Sequence, residues 1–294
     1  MKKYINHFFR IFVIIKNLIL HEIVRLLGLF SVNLKNKPKV NLVLAGVARS
    51  GTSGIIHGLK QHPEIYVGID QKNLDEDETK FFDQEENFSI SSTTQLITNY
   101  KNYHNKFFKN IDPSKKIICS NAPIYSYWEN AIKRLWYYNK NVKIIIILRN
   151  PIERAYSHWN KEKNIGRENL SFYEAIKNET KRSKNFLPYQ NRKSSYTERG
   201  FYTEQIRRVW KFFDKKNILF IKYDDFCNNP ETIFKSIFEF LNIYQVEIKC
   251  KYVGKQRYEE KINKEDFIFL KKLFFYDICE TEKLLNWDCS DWKK

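Results

Sequence analysis

The run Val142-Lys143-Ile144-Ile145-Ile146-Ile147-Leu148 decides the fold of this chain. Its β-branched residues favour extended backbone, and an apolar run of this length without polar alternation needs cover on both faces. Such a strand belongs in the middle of a parallel sheet. The next residues, Arg149-Asn150-Pro151, end it and place a proline where a helix over 152–163 can begin. Working outward, the pattern predicts strands over 40–45, 116–119 and 218–221. Helices are predicted over 53–60, 125–138, 172–181, 203–213, 230–241, 264–275 and 277–285. Alternation of this kind without an internal repeat predicts a three-layer α/β domain around a central parallel sheet, spanning 39–294.

Residues 1–38 read differently. Between 4 and 34 an apolar block is broken by Arg10, Lys16, His21, Glu22 and Arg25, so no window of about 20 residues is apolar enough to span a membrane. No small-residue cleavage site follows, which argues against a signal peptide. Wound as a helix, Lys3, His7, Arg10, Asn17, His21 and Arg25 fall within an arc of about 80° on an otherwise greasy surface. An amphipathic helix with this basic stripe is suited to an anionic membrane interface, with residues 34–38 as a linker.

The composition narrows the partners. Of 294 residues, 51 are basic and 34 acidic, a net charge of +17 that points to phosphates, acidic sugars, nucleic acid or an anionic membrane. With 43% hydrophobic and 16% aromatic residues, the chain has too much buriable surface for disorder. The five cysteines, Cys119, Cys227, Cys250, Cys279 and Cys289, include no Cys-x-x-Cys pair. They predict reduced, buried thiols in a reducing compartment and no zinc site.

Chemistry begins where the first strand ends, at Gly46-Val47-Ala48-Arg49-Ser50-Gly51-Thr52-Ser53. A glycine-bearing loop between a buried strand and a helix presents amides, and the helix's positive end, to an anion. The spacing is P-loop-like, but Thr52 stands where a nucleotide triphosphatase has its lysine, and no acidic residue follows the 142–148 strand to hold Mg²⁺. The loop therefore has little with which to grip a γ-phosphate.

This loop resembles the 5′-phosphosulfate loop, G-x-x-[KR]-[ST]-G-T-[ST], of sulfotransferases that use 3′-phosphoadenosine 5′-phosphosulfate (PAPS). A second match is Leu148-Arg149-Asn150-Pro151-Ile152-Glu153-Arg154-Ala155-Tyr156-Ser157, similar to the family's 3′-phosphate site, in which a strand-ending Arg and a Ser eight residues on hold one phosphate. Arg154 reads as a structural ion-pair partner. Asp77-Glu78-Thr79-Lys80-Phe81-Phe82 resembles the E-x-x-F-F segment of the heparan-sulfate type enzymes (N- and 3-O-sulfotransferase-like), and Gly254-Lys255-Gln256-Arg257 their late basic loop. Weaker likenesses at Gly200-Phe201-Tyr202 and Trp287 to Trp292 extend the match over roughly 40–292. Two features depart from the family: Asn121 stands in place of a reaction-centre lysine, and the disulfide-bonded hairpin before the basic loop is missing.

The resemblance implies a metal-free, PAPS-dependent sulfotransferase acting on a hydroxyl or amine, on an anionic or saccharide acceptor. Its catalytic residues would be Glu78, as general base, and Arg49, which would stabilise the leaving group. Arg49, Ser50, Gly51, Thr52 and Ser53 would hold the 5′ side of the nucleotide, Arg149 and Ser157 the 3′-phosphate, and Lys255, Gln256 and Arg257 would close over it. Other readings are a P-loop nucleotide kinase or ATPase and a nonenzymatic, membrane-peripheral polyanion binder. A nucleic-acid partner is not expected, because no helix-turn-helix, RNP or zinc-finger pattern accompanies the charge. The expected location is cytoplasmic, with membrane association through the N-terminal helix.

Overall fold

The computed structural model describes residues 12, 15, 19, 39–73, 78–89, 92–250 and 262–294. Five strands form one sheet: β1 (Leu42–Gly46), β2 (Ile65–Val67), β3 (Ile117–Asn121), β4 (Lys143–Leu148) and β5 (Ile218–Lys222), in the order β2-β3-β1-β4-β5. Every pairing is parallel. The chain moves from β1 to one side of the sheet for β2 and β3, then to the other for β4 and β5. The strand order therefore reverses at β1, and sheets of this kind bind ligands outside the carboxyl ends of the strands at such a point.

The period of two in the central strands explains the layers. Val43, Ala45, Ile144, Ile146 and Leu148 bury into one core, while Leu42, Leu44, Ile145 and Ile147 bury into the other. Over the second core lie α1 (Thr52–Leu59) and, from later in the chain, the Phe234, Ile237 and Phe238 face of a helix over Pro230–Leu241. The first core is covered by α2 (Thr93–Phe107), α3 (Glu129–Tyr138), α4 (Pro151–Asn164), α5 (Phe172–Lys177) and α7 (Tyr202–Phe212), with the short α6 (Glu179–Ser183) between α5 and α7 in the chain. Both faces of β4 are thus sealed, as its unbroken apolar run requires. The chain closes with α8 (Tyr223–Asn228), α9 (Pro230–Leu241) and α10 (Lys264–Leu285).

Several boundaries differ from those the sequence predicts, each for a local reason. The short edge strand β2 lies between Pro63 and Gly68, too brief to show a period. Helix α2 is hidden by a polar sequence, yet Leu96, Tyr100, Tyr103 and Phe107 make one buried stripe, and Ser92 caps its start by accepting from the Gln95 amide at 3.2 Å. Helix α3 starts at Glu129 rather than 125, because Ser126 spends its amide on the Ala45 carbonyl, 2.9 Å away. The helices expected at 264–275 and 277–285 are one. Asp277 lies inside it and accepts from the Tyr202 and Thr203 amides at 2.7 and 3.2 Å, capping α7 across the interface.

All five cysteines are free, but only Cys119 and Cys289 are buried. The amphipathic helix expected at the N-terminus falls outside the described residues except for Phe12, Ile15 and Ile19, which are helical and exposed. Among the described residues no helix is long and apolar enough to cross a membrane.

Candidate active site

The loop between β1 and α1 is fastened to its neighbours by backbone bonds. Val47 donates to the Ile147 carbonyl and Ala48 to the Pro123 carbonyl, both at 3.0 Å, so the loop is tied to β4 and to the β3–α3 turn. Arg49 (φ 75°) and Gly51 (φ 88°) take left-handed backbone and swing the chain under the start of α1. Gly51 is required twice over: its φ disfavours a side chain, and an added Cβ would lie 2.8 Å from Cε2 of Tyr223. No side chain caps α1. The first amide to turn back is that of Gly54, onto the Gly51 carbonyl at 3.0 Å. The amides of Thr52 and Ser53 belong to the N-terminal set that a helix leaves for an external acceptor, at its positive end. Thr52 is buried and Ser53 exposed, whereas Ser50 is fully buried with no partner for its hydroxyl among the described residues.

The second phosphate motif lies alongside. Pro151 starts α4 and Asn150 caps it, accepting from the Ile152 amide at 3.0 Å. Ser157 is buried on α4 and accepts from Nε of Arg49 at 3.2 Å, so one hydrogen bond joins the two motifs. The structure does not pair Arg149 directly with Ser157. Arg149 instead donates through Nε and Nη2 to one carboxylate oxygen of Glu153, at 3.0 and 2.7 Å, and its guanidinium lies 4.8 Å from the centre of the Tyr223 ring. Tyr223 follows β5, and the Leu148–Lys222 register sets it beside Arg149. No local motif marks Tyr223, because only the strand order makes it a neighbour.

Beneath the loop two groups are forced away from their ordinary protonation range. Arg154 is fully buried and binds the Ala48 carbonyl at 3.4 Å and the Tyr196 carbonyl. The ion pair expected for it is replaced by these carbonyls, because the side chain points inward under the loop; burial lowers its pKa to about 10. His158, next to Ser157, is buried and held neutral, first by desolvation and then by the nearby cations of Arg199, Arg154 and Arg49.

Glu78 reaches the same end of the sheet by another route. The amide of Thr79 donates to the Asn121 carbonyl at 2.8 Å, and the Thr79 and Ser120 hydroxyls are 2.5 Å apart, so this segment runs along the end of β3. The Tyr125 hydroxyl fixes the turn that follows: it donates to the Thr79 carbonyl at 2.9 Å and accepts from the Phe81 and Phe82 amides at 3.2 and 3.1 Å. Phe81 and Phe82 are buried, Phe81 stacking on Tyr103 at 4.4 Å and Phe82 meeting the Tyr125 ring edge-on at 5.7 Å. Glu78 itself stays partly exposed, 3.6 Å from Lys80. Its segment and the phosphate loop thus hang from one short turn, Thr79 on Asn121 and Ala48 on Pro123. Lys255, Gln256 and Arg257, and the acidic neighbours Asp75, Glu76 and Asp77, lie outside the described residues.

Two arginine-bearing motifs thus meet at the carboxyl end of a parallel sheet, the first of them running into an uncapped helix start, an arrangement suited to binding anions. The chain matches the sulfotransferase domain family over residues 39–266 and belongs to that family. It is 22% identical over 212 residues to heparan sulfate glucosamine 3-O-sulfotransferase 5 of Mus musculus, and equally to that of Homo sapiens. Each alignment covers 68% of this chain and 53% of the relative, so the chain spans about half the length of the curated relatives it matches. A sulfotransferase from Alicyclobacillus acidocaldarius shares the fold with a TM-score of 0.71 at 22% identity, over 87% of this chain and all (100%) of that one.

Proposed function

We propose that this protein transfers a sulfuryl group from PAPS to a hydroxyl or amine of a saccharide acceptor. The observation that carries the reading is the shared turn: residues 121–123 anchor both an anion-binding loop and a carboxylate-bearing segment. The residues present fit the donor. The left-handed backbone at Arg49 and Gly51, the uncapped start of α1 and the Arg149 guanidinium supply donors and positive charge to two separate phosphates. Bound there, PAPS would supply an activated sulfuryl group whose bond to the phosphate oxygen breaks as the acceptor attacks sulfur.

The chain's own part is positioning and electrostatics. The Glu78 carboxylate takes the proton released by the acceptor. Arg49 and the loop amides balance the negative charge left on the departing phosphate. Arg149 turns from Glu153 toward the 3′-phosphate, beside Ser157, and Lys255, Gln256 and Arg257 close the nucleotide side. Nothing in this set grips a γ-phosphate in place of the P-loop lysine, which disfavours a kinase or ATPase. The heparan-sulfate relatives support a saccharide as acceptor.

Calorimetry tests the reading. 3′,5′-Adenosine bisphosphate should bind without Mg²⁺ and more tightly than ATP, and Arg149→Ala should weaken it far more than it weakens the 5′-monophosphate. Equal affinity for ATP, or a requirement for Mg²⁺, would overturn the assignment. For residues 1–38 the proposal is attachment to an anionic membrane surface, supported by the basic stripe and the exposed Phe12, Ile15 and Ile19. The five free cysteines support a reducing, cytoplasmic setting.

A further inference from the structure

Helices α3 and α7 run side by side on one flank of the sheet and leave a groove of about 840 Å³ between them. Its walls combine two chemistries. Trp136 and Phe212 line it half-buried, with ring centres 6.2 Å apart and planes tilted by 49°, and Lys140 lies over the Trp136 ring at 4.6 Å. Lys133, Arg207, Arg208 and Lys211 add four cations against two carboxylates, Glu129 and Glu204, and Arg207 is also paired with Glu280 at 3.3 Å. Both carboxylates sit in the first turns of their helices, where the positive helix end accounts for them, and Glu204 is bonded to Arg208 at 2.5 Å. The groove is therefore aromatic and net positive.

A sugar ring offers apolar C–H faces that pack on aromatic rings, and a uronate or sulfate on the same ring offers an anion to lysine or arginine. The groove runs from Trp128, in the turn after β3, along α3 toward its end at Tyr138, whose hydroxyl accepts from the Val40 amide at 2.9 Å. At its mouth, Trp128 lies 3.9 Å beneath the Arg192 guanidinium and donates from its indole to Glu85 at 2.8 Å. Arg192 pairs with Asp83, five residues beyond Glu78. We propose that the α3–α7 groove is a second saccharide site, holding acidic or sulfated sugar rings of the acceptor chain outside the reaction centre. The inference rests on the saccharide-acceptor reading above, but it concerns binding, not turnover.

The test uses the full chain saturated with 3′,5′-adenosine bisphosphate and a fluorescent heparin hexasaccharide, with maltohexaose and a hexathymidylate as comparison probes. The hexasaccharide should bind at least tenfold more tightly than either comparison probe. Trp136→Ala and the double variant Lys133→Ala/Lys211→Ala should each weaken it at least tenfold, and Trp136→Phe, which keeps a ring, should restore most of the loss. Bisphosphate affinity should be unchanged in all three variants, which shows that they fold. Unaltered hexasaccharide affinity in Trp136→Ala would overturn the site, leaving diffuse charge attraction. Equal binding of hexathymidylate would overturn it in favour of nucleic acid. If sulfuryl transfer to the hexasaccharide fails while the variants still lose binding, the acceptor reading falls and the groove stands. The reverse outcome removes the groove and leaves the reaction intact.

Discussion

The phosphate loop and the Glu78 segment meet at one turn of β3 yet are built on opposite principles. Residues 46–53 are held by backbone hydrogen bonds to β4 and to the β3–α3 turn, and their shape is written in Gly51 and the left-handed Arg49. The Glu78 segment owes its path to tertiary groups: the Asn121 carbonyl, the Ser120 hydroxyl and, above all, the Tyr125 hydroxyl with its three bonds. An anion cradle made of amides tolerates changes of side chain but not of backbone, while a positioned carboxylate depends on the few side chains that aim it.

The sharpest break between the two regions should come from Glu78→Gln. It keeps size and hydrogen bonding but cannot accept the proton, so turnover should fall by about 10² to 10⁴ with bisphosphate affinity unchanged. Asp75→Asn and Asp77→Asn should stay near the native rate; if all three carboxylates behave alike, Glu78 is only part of a solvated acidic run. Arg49→Ala should lower turnover by about 10² to 10³ and weaken PAPS binding as well, since it would remove both the proposed contact to the leaving group and the bond to Ser157.

Gly51→Ala should act on the loop alone. Its methyl group meets Tyr223 in a backbone region that opposes side chains, so calorimetry should show bisphosphate binding weaker by about tenfold or more. Tyr125→Phe is the reciprocal probe: the lost hydroxyl frees the Phe81 and Phe82 amides, and kcat should drop by about tenfold while bisphosphate affinity holds. A fall in bisphosphate affinity instead would show that the two regions are not separable.

The smaller effects concern stability and attachment. His158 is neutral in the fold, while an unfolded chain takes up a proton near the ordinary 6.5. The unfolded state thus binds more protons, and stability should fall as pH drops below about 6.5. Thermal melts of His158→Gln should show a shallower decline over that range. Deleting residues 4–30 should release the protein from anionic liposomes and leave turnover on a soluble acceptor unchanged. An unfolded deletion product would mean that this segment packs on the domain.

Much of the fold was legible in the chain itself. The unbroken apolar strand at 142–148 required cover on both faces, and Gly46, Gly51 and Pro151 announced the tight loop after β1 and the start of α4, because backbone geometry and helix starts are local properties. Tertiary structure alone decided the rest. The polar-looking α2 became a buried helix through four aromatic and aliphatic residues, and Asp277 became the cap of a distant helix. Tyr223 came to lie against Arg149 through strand order, and the Tyr125 hydroxyl came to hold the Glu78 turn. The physical reason is the range of the interactions: φ preferences and helix caps act within a few residues, whereas side-chain contacts across the sheet join positions 40 to 100 apart and exist only once the strands are in register.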